Sequence, residues 1–230
     1  LGDNDHPQYL LATGKAADSD KLDGLHSTDF MLSSYKDGWI PVSGTWTYKT
    51  ATTITVPSGA ASIYKVGMGI RLTQSSTVKY FYIIGVADTV LTVTGGSDYT
   101  LTNTTISAVS YAPNPDTAIG FPRVFQYNTT ITGYTTNPKT ATLEFKMIGN
   151  CVYVATHNQI DGNDSNTTGL TFTLPVPAYG YQNLIALGYP IDGDSISTIP
   201  TGYIDINGTI ATCYKQFYQV AWTASGRKAL

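Results

Sequence analysis

The chain has few charged residues, and this scarcity limits the partners it can bind. Lys, Arg, Asp and Glu make up 13% of its 230 residues, about half the fraction usual in globular proteins. The net charge of −3 and the pI near 5.4 provide no basic surface of the kind that binds a phosphate backbone. We therefore expect no nucleic acid partner.

Long hydrophobic runs are also missing. No apolar segment approaches the roughly 20 residues that cross a bilayer. No charged stretch followed by an apolar core marks a secretion signal. We expect no membrane insertion.

Residues suited to catalysis or metal binding are scarce as well. The three histidines have neither the spacing of a zinc site nor that of a nucleophile relay: His6, His26 and His157. Glu144 is the only glutamate, and its place inside a predicted strand favours a solvated residue over a catalytic acid. We expect no enzyme activity and no cofactor.

Cysteine is limited to Cys151 and Cys213. Each lies in a strand-like segment in which a small buried hydrophobic residue would fit. One pair of cysteines is not a disulfide framework, so we expect two free, buried thiols.

The abundant residues are Thr, Ser, Asn, Gly and Tyr, which favour strands and turns over helices. Alternating or continuously apolar segments at residues 53–56, 68–73, 78–86 and 90–94 predict strands of a small β module. The segment at 78–86 is nearly all apolar, which is typical of a central strand. We expect an all-β protein.

Two hairpins are predicted in the second half of the chain. Residues 143–148 and 151–155 flank Gly149 and Asn150, and residues 203–206 and 209–211 flank Asn207 and Gly208. Asn-Gly suits the positive φ angles of a type I′ turn. With further strands at 171–175 and 218–223, these segments predict a β-sandwich with a jelly-roll-like arrangement.

The proline-rich stretch at 112–122 separates these two parts, because proline restricts the backbone and removes hydrogen-bond donors. We therefore expect three units: an extended segment at 1–37, a small β module at 38–113 and a β-sandwich at 114–230. The first unit is polar and too short to fold alone. It is either a disordered linker or a segment that is ordered by association between chains.

Several strings resemble bacteriophage tail fibre and minor structural proteins. HPQYLL at 6–11 and DSDKLDGLHSTDF at 18–30 resemble the linking segments of tail fibres. GWIP at 38–41, ITVPSGA at 54–60, IRLTQ at 70–74 and LTVTGGSDY at 91–99 resemble a β module of phage structural proteins. NTTGLTFTLPV at 166–176 and AWTASGRK at 221–228 resemble terminal domains of phage fibres.

The resemblance implies an intertwined homotrimer, assembled in the host cytoplasm and carried on the virion. It implies that Tyr9, Leu22, Leu25 and Phe30 contribute to the contact between chains. Since the sequence begins at Leu1 rather than Met, we expect a preceding region that attaches it to other tail proteins.

The candidate binding residues lie in the last third of the chain. Tyr179, Tyr181 and Tyr189 occupy a stretch rich in Pro and Gly, and flat amphipathic rings suit sugar recognition. Two oxygen-rich turns add Asp161 with Asn163, and Asp192. We expect no calcium at either turn. The turn that starts at Asp161 does not match a calcium loop, because Phe172 occupies the position at which a bidentate acid is required.

Together these observations predict a tail fibre protein that adsorbs to the bacterial surface by non-catalytic binding of a glycan. The first alternative is a purely structural neck or baseplate appendage. The second is a tailspike that degrades polysaccharide, which would need two carboxylates placed around a sugar.

Overall fold

The computed structural model describes residues 21–22, 25–26, 37–133, 139–156, 161–163, 169–186, 191–192, 195–196, 202–214, 222 and 227–229. These residues form antiparallel sheets, together with one four-residue helix, α1 (Ala60–Ile63). The predicted all-β class is confirmed. No helix in this described part of the chain is long and apolar enough to span a membrane.

A short ribbon precedes the main sheets. It consists of β1 (Lys21–Leu22) and β2 (Leu25–His26), with Leu22 directly across from Leu25. Two residues that were predicted to contact another chain are therefore neighbours in their own chain. Tyr9 and Phe30, which share that prediction, lie outside the described residues.

The first large sheet contains seven strands from residues 40–112. In chain order they are β3 (Ile40–Pro41), β4 (Thr47–Thr50), β5 (Thr53–Thr55), β6 (Gly69–Gln74), β7 (Thr77–Ala87), β8 (Val90–Thr94) and β9 (Ser107–Ala112). The spatial order is β3-β9-β6-β7-β8-β5-β4. All four strands predicted in this module are present, and β7 is the central strand that its apolar sequence indicated.

The order of the strands requires this sheet to curl. Strands β3 and β4 occupy opposite edges, yet only residues 42–46 connect them. Such a short connection reaches about 20 Å, whereas seven strands in a flat sheet would place their edges about 29 Å apart. The curled sheet encloses a core that includes Ile54, Ile70, Leu72, Phe81 and Leu91.

The next sheet has three strands: β10 (Phe125–Ile131), β11 (Lys139–Ile148) and β12 (Cys151–Thr156). Ile148 pairs with Cys151, so Gly149 and Asn150 form the turn as predicted. The prediction of two buried thiols is half right. Both cysteines are free, and Cys213 is buried, but Cys151 is exposed because it pairs with Ile148 on the face of the sheet opposite to the buried Phe145 and Met147.

The remaining strands form two four-stranded sheets. In chain order they are β13 (Asp161–Asn163), β14 (Leu170–Thr173), β15 (Tyr181–Ala186), β16 (Ile191–Asp192), β17 (Ser195–Ile196), β18 (Gly202–Asn207), β19 (Ile210–Tyr214) and β20 (Arg227–Ala229). One sheet has the order β13-β20-β16-β17 and the other β14-β19-β18-β15.

The predicted hairpin at Asn207 is present, but its turn is shifted by one residue. Asn207 pairs with Ile210, so Gly208 and Thr209 form the turn. Gly208 has φ +58 and Thr209 has a negative φ, a combination typical of a type II′ turn rather than type I′. The type I′ prediction is wrong because the ladder extends one residue further along β18.

Two clusters of buried residues hold these sheets together. Ile131 and Leu143 pack with Leu170, Phe172 and Cys213, which joins β10 and β11 to β14 and β19. Tyr82 of β7 packs with Phe125, Phe145, Met147 and Val176, which joins the first large sheet to the later strands.

Two glycines allow the first large sheet to approach the three-stranded sheet. A Cβ atom on Gly67 would overlap the carbonyl of Gly149, and one on Gly96 would overlap the carbonyl of Gln126. Pro115 is buried within the connecting stretch, in a 3-10 turn at Pro115–Thr117. The domain boundary at 113/114 stays a prediction, and close packing occurs across it.

Candidate functional site

The loop at 174–180 holds the first of the predicted tyrosines in a defined position. The backbone N–H of Leu174 donates to the carbonyl of Thr209 at 2.7 Å, and that of Ala178 donates to the carbonyl of Gly208 at 2.8 Å. Val176 is buried in the aromatic cluster beneath the loop. The loop is therefore fastened to the turn between β18 and β19.

Tyr179 projects from this fastened loop, and 99% of it is exposed. Ile210, at the start of β19, is 51% exposed. We call the surface formed by the exposed residues Pro177, Tyr179, Asn207, Thr209 and Ile210 the Tyr179 tip. It carries an aromatic ring, an amide, a hydroxyl and apolar surface, and no ionisable group except the phenol.

Tyr181 belongs to the same end of the sheet. It begins β15 and stands directly across from Asn207 of β18. The structure therefore brings two of the three predicted tyrosines to one turn. Tyr189 lies outside the described residues.

The predicted polar turns occupy a different sheet. Asp161 and Asn163 are the end residues of β13, and Asp192 is in β16. Both strands pair with β20, so Lys228 stands between Gly162 on one side and Asp192 on the other. The sequence offered no signal for this convergence, because β20 is more than 30 residues away from both turns along the chain.

Asp205 is a polar residue whose burial the sequence did not predict. It lies between Ile204 and Ile206, so alternation places it on the opposite face from the core. It is nevertheless only 6% exposed, and its Oδ1 has no hydrogen-bond partner. Burial, together with the negative charge of Asp205, raises the pKa of Tyr214.

The polysaccharide-degrading alternative requires two carboxylates placed around one sugar. The two acids Glu144 and Asp205 lie in different sheets. Glu144 pairs with Gln126 and Ala155 in the three-stranded sheet, whereas Asp205 belongs to β18. Among the residues that the structure describes, no three of His, Cys, Asp and Glu lie close enough together to hold a metal ion.

A concave surface lies beside the connection between β3 and β4. It is an open depression lined by residues 41–42, 44–46 and 106–109. Ala108 has φ +48, which is unusual for a residue other than glycine. Trp46 is only 3% exposed, so its ring offers little contact area. The Tyr179 tip is the more accessible aromatic surface.

Comparison with known proteins identified no relative. No family model matches the chain, no curated protein matches it, and no solved structure matches it. The similarity to phage fibre proteins therefore stays a prediction from the strings in the sequence.

Proposed function

We propose that the chain is part of a bacteriophage tail fibre that adsorbs to the surface of the bacterial host. Binding is non-catalytic, and its target is a cell-surface glycan. The proposal is supported by the fibre-like strings in the sequence and above all by the exposure of Tyr179 on a loop that is fastened by hydrogen bonds. An exposed tyrosine on a backbone held in place has only two side-chain torsions to order, so it loses little conformational entropy when it binds.

The chemistry of the Tyr179 tip suits an uncharged or weakly charged sugar. An aromatic ring covers the apolar face of a sugar, while amide and hydroxyl groups bond its hydroxyls. A single contact of this size is weak. In the proposed intertwined homotrimer three tips act together, and effective concentration raises the overall affinity by orders of magnitude.

The wider proposal includes the jelly-roll-like terminal domain, a location on the virion and attachment to other tail proteins through a preceding region. The aromatic cluster around Tyr82 is compatible with the structural alternative, a neck or baseplate appendage. Such packing across sheets would also suit a rigid spacer. The two functions differ in whether the isolated protein recognises a cell.

Binding to cells tests this proposal. Fluorescently labelled protein is mixed with a panel of bacterial strains and with their purified surface polysaccharides. We expect one strain to bind it, Tyr179→Ala to weaken binding at least tenfold, and Tyr179→Phe to retain most of it.

The matched control is Ile119→Ala, which shortens a side chain that is 68% exposed and lies outside the tip. It is expected to leave binding unchanged. Equal binding by wild type and Tyr179→Ala would exclude the tip. Absence of binding across a panel that includes the host would favour the structural appendage, and release of reducing sugar would favour the tailspike.

A further inference from the structure

Strand β12 is an edge strand with an unusually open side. It pairs with β11, and no other strand in the described part of the chain pairs with it. Cys151, Tyr153, Val154 and Ala155 are all exposed, with Tyr153 at 56% and Val154 at 40%. In an antiparallel strand, alternate residues direct their N–H and C=O groups outward, so β12 presents, beside apolar side chains, backbone groups with which no described strand pairs.

The opposite edge of the same sheet is closed. The backbone N–H of Gln126 in β10 donates to Oδ2 of Asp98 at 2.8 Å, and that of Asn128 donates to Oγ of Ser97 at 2.7 Å. Further along, residues 132 and 171 exchange backbone hydrogen bonds. Among the described residues, contacts within the chain thus satisfy the β10 edge of this sheet, and no strand pairs with the β12 edge.

Proteins usually protect an open edge with charges, proline or a bulge. Residues 151–156 (CVYVAT) contain no charge and no proline, and β12 pairs with β11 without a register shift. A strand of this composition meets no electrostatic repulsion from an identical strand. Uncharged edge strands with high β propensity are the segments that pair between molecules.

We propose that β12 pairs with β12 of a second copy of this chain, antiparallel, about a twofold axis at Tyr153. This contact goes beyond the proposed adsorption function and does not depend on it. The register places Tyr153 across from its own equivalent, and Val152 across from Val154 of the second copy.

The difference in exposure between Val152 and Val154 supports this register. Val152 packs against the aromatic cluster around Tyr82. Val154 lies on the same face of β12, two residues further along, and is still 40% exposed. Directly opposed residues in antiparallel strands have Cβ atoms about 5 Å apart. Val152 of the second copy would therefore cover Val154, and the apolar face would continue across both chains.

The twofold contact and the proposed trimer make different predictions for mass. A twofold contact cannot close a ring of three chains. The 24.7 kDa chain forms a dimer if β12 alone associates, and a dimer of trimers if the trimer contacts are also present. A trimer that contains no twofold contact would contradict the inference about β12 and leave the tail fibre proposal intact.

The first test measures mass by light scattering over a range of concentrations. Tyr153→Lys places two like charges across the axis, so we expect it to halve the mass and to weaken dimerisation at least tenfold. Ile63→Lys is the matched control, because Ile63 is 49% exposed on α1. Equal masses for wild type and Tyr153→Lys would overturn the proposal.

The second test locates the axis by cross-linking. In a Cys151→Ser background, Tyr153→Cys brings two thiols within the range of a disulfide, and mild oxidation should give a covalent dimer on a non-reducing gel. Ile63→Cys in the same background measures random cross-linking. A dimer from Val154→Cys in place of Tyr153→Cys, or no dimer above the random level, would refute this register.

Discussion

The guanidinium carbon of Arg71 lies 4.6 Å from the centre of the Trp39 ring. Nη1 of Arg71 is 3.7 Å from Oδ2 of Asp37, and its Nε donates to Oγ of Ser110 at 3.1 Å. The Trp39 indole donates to the carbonyl of Ile119 at 2.9 Å. The stacked pair of Arg71 and Trp39 therefore connects the start of the first large sheet, strands β6 and β9, and the stretch before β10.

Replacing Arg71 tests how much this arrangement stabilises the fold. Arg71→Lys keeps the charge but loses the planar group that stacks on Trp39 and bonds Ser110. Because the side chains of Arg71 and Asp37 are both about one third exposed, we expect a loss of only about 1 kcal/mol in the free energy of unfolding. Urea denaturation measures it, with the exposed Arg123→Lys as a control that should not change.

The turn between β6 and β7 contains a conformational strain that one substitution can relieve. Ser75 and Ser76 have φ angles of +48 and +62, which cost L-residues about 1 kcal/mol or more each. We expect Ser76→Gly to stabilise the protein by about 0.5–1 kcal/mol. Ser62→Gly within α1 is expected to destabilise it, and thermal or urea unfolding of both variants would show opposite signs.

The close approach at Gly96 predicts a larger loss. Gly96 and Gly59 both have positive φ, at +63 and +95, so alanine strains the backbone at either position. Only at Gly96 would the new Cβ also overlap other atoms, the carbonyl of Gln126 and the ring of Phe145. We expect Gly96→Ala to cost about 2 kcal/mol more than Gly59→Ala. Equal losses would contradict the close packing of the two sheets.

The buried thiol predicts a loss of stability in alkaline solution. Burial raises the pKa of Cys213 from 9.0 to about 12. Between these values the unfolded chain loses the proton while the folded chain keeps it, so the free energy of unfolding falls as pH rises, by up to about 1.4 kcal/mol per unit. Urea denaturation at several pH values should show a smaller decrease above pH 9 for Cys213→Val.

Cys213→Val is compared with wild type at each pH because buried tyrosines contribute in the same direction. Burial also raises the pKa values of Tyr64 and Tyr82. The difference between the two proteins isolates the thiol. An identical decrease in both would show that Cys213 ionises as readily in the folded chain as in the unfolded one.

Local sequence was sufficient for most strands. Ile70, Leu72 and Gln74 are buried while Arg71 and Thr73 between them are partly exposed, because successive side chains of a strand point to opposite faces. The turn at Gly149 was predicted with its register because neighbouring segments that are joined by a two-residue connection have few ways to pair.

The alternation of residues along a strand predicted burial wrongly where contacts with distant parts of the chain decide it. Cys151 was predicted to be buried but shares a face with the exposed Ile148, and only the packing of the whole sheet decides which face is covered. Asp205 fits the pattern of a solvated residue but is buried. Of the candidate site, the sequence indicated Tyr179 and Tyr181, but not that the turn at Gly208 would lie beside them.

The sequence by itself determined that this protein is built from strands, because its Thr, Tyr and apolar residues alternate and its glycines interrupt them. Only the tertiary structure decided that β3 and β4 lie at opposite edges of one curled sheet, that Tyr82 packs against Phe125, and that no described strand pairs with the outer side of β12. Such contacts join residues that are distant along the chain, and their energies come from packing and edge pairing that local sequence patterns do not encode.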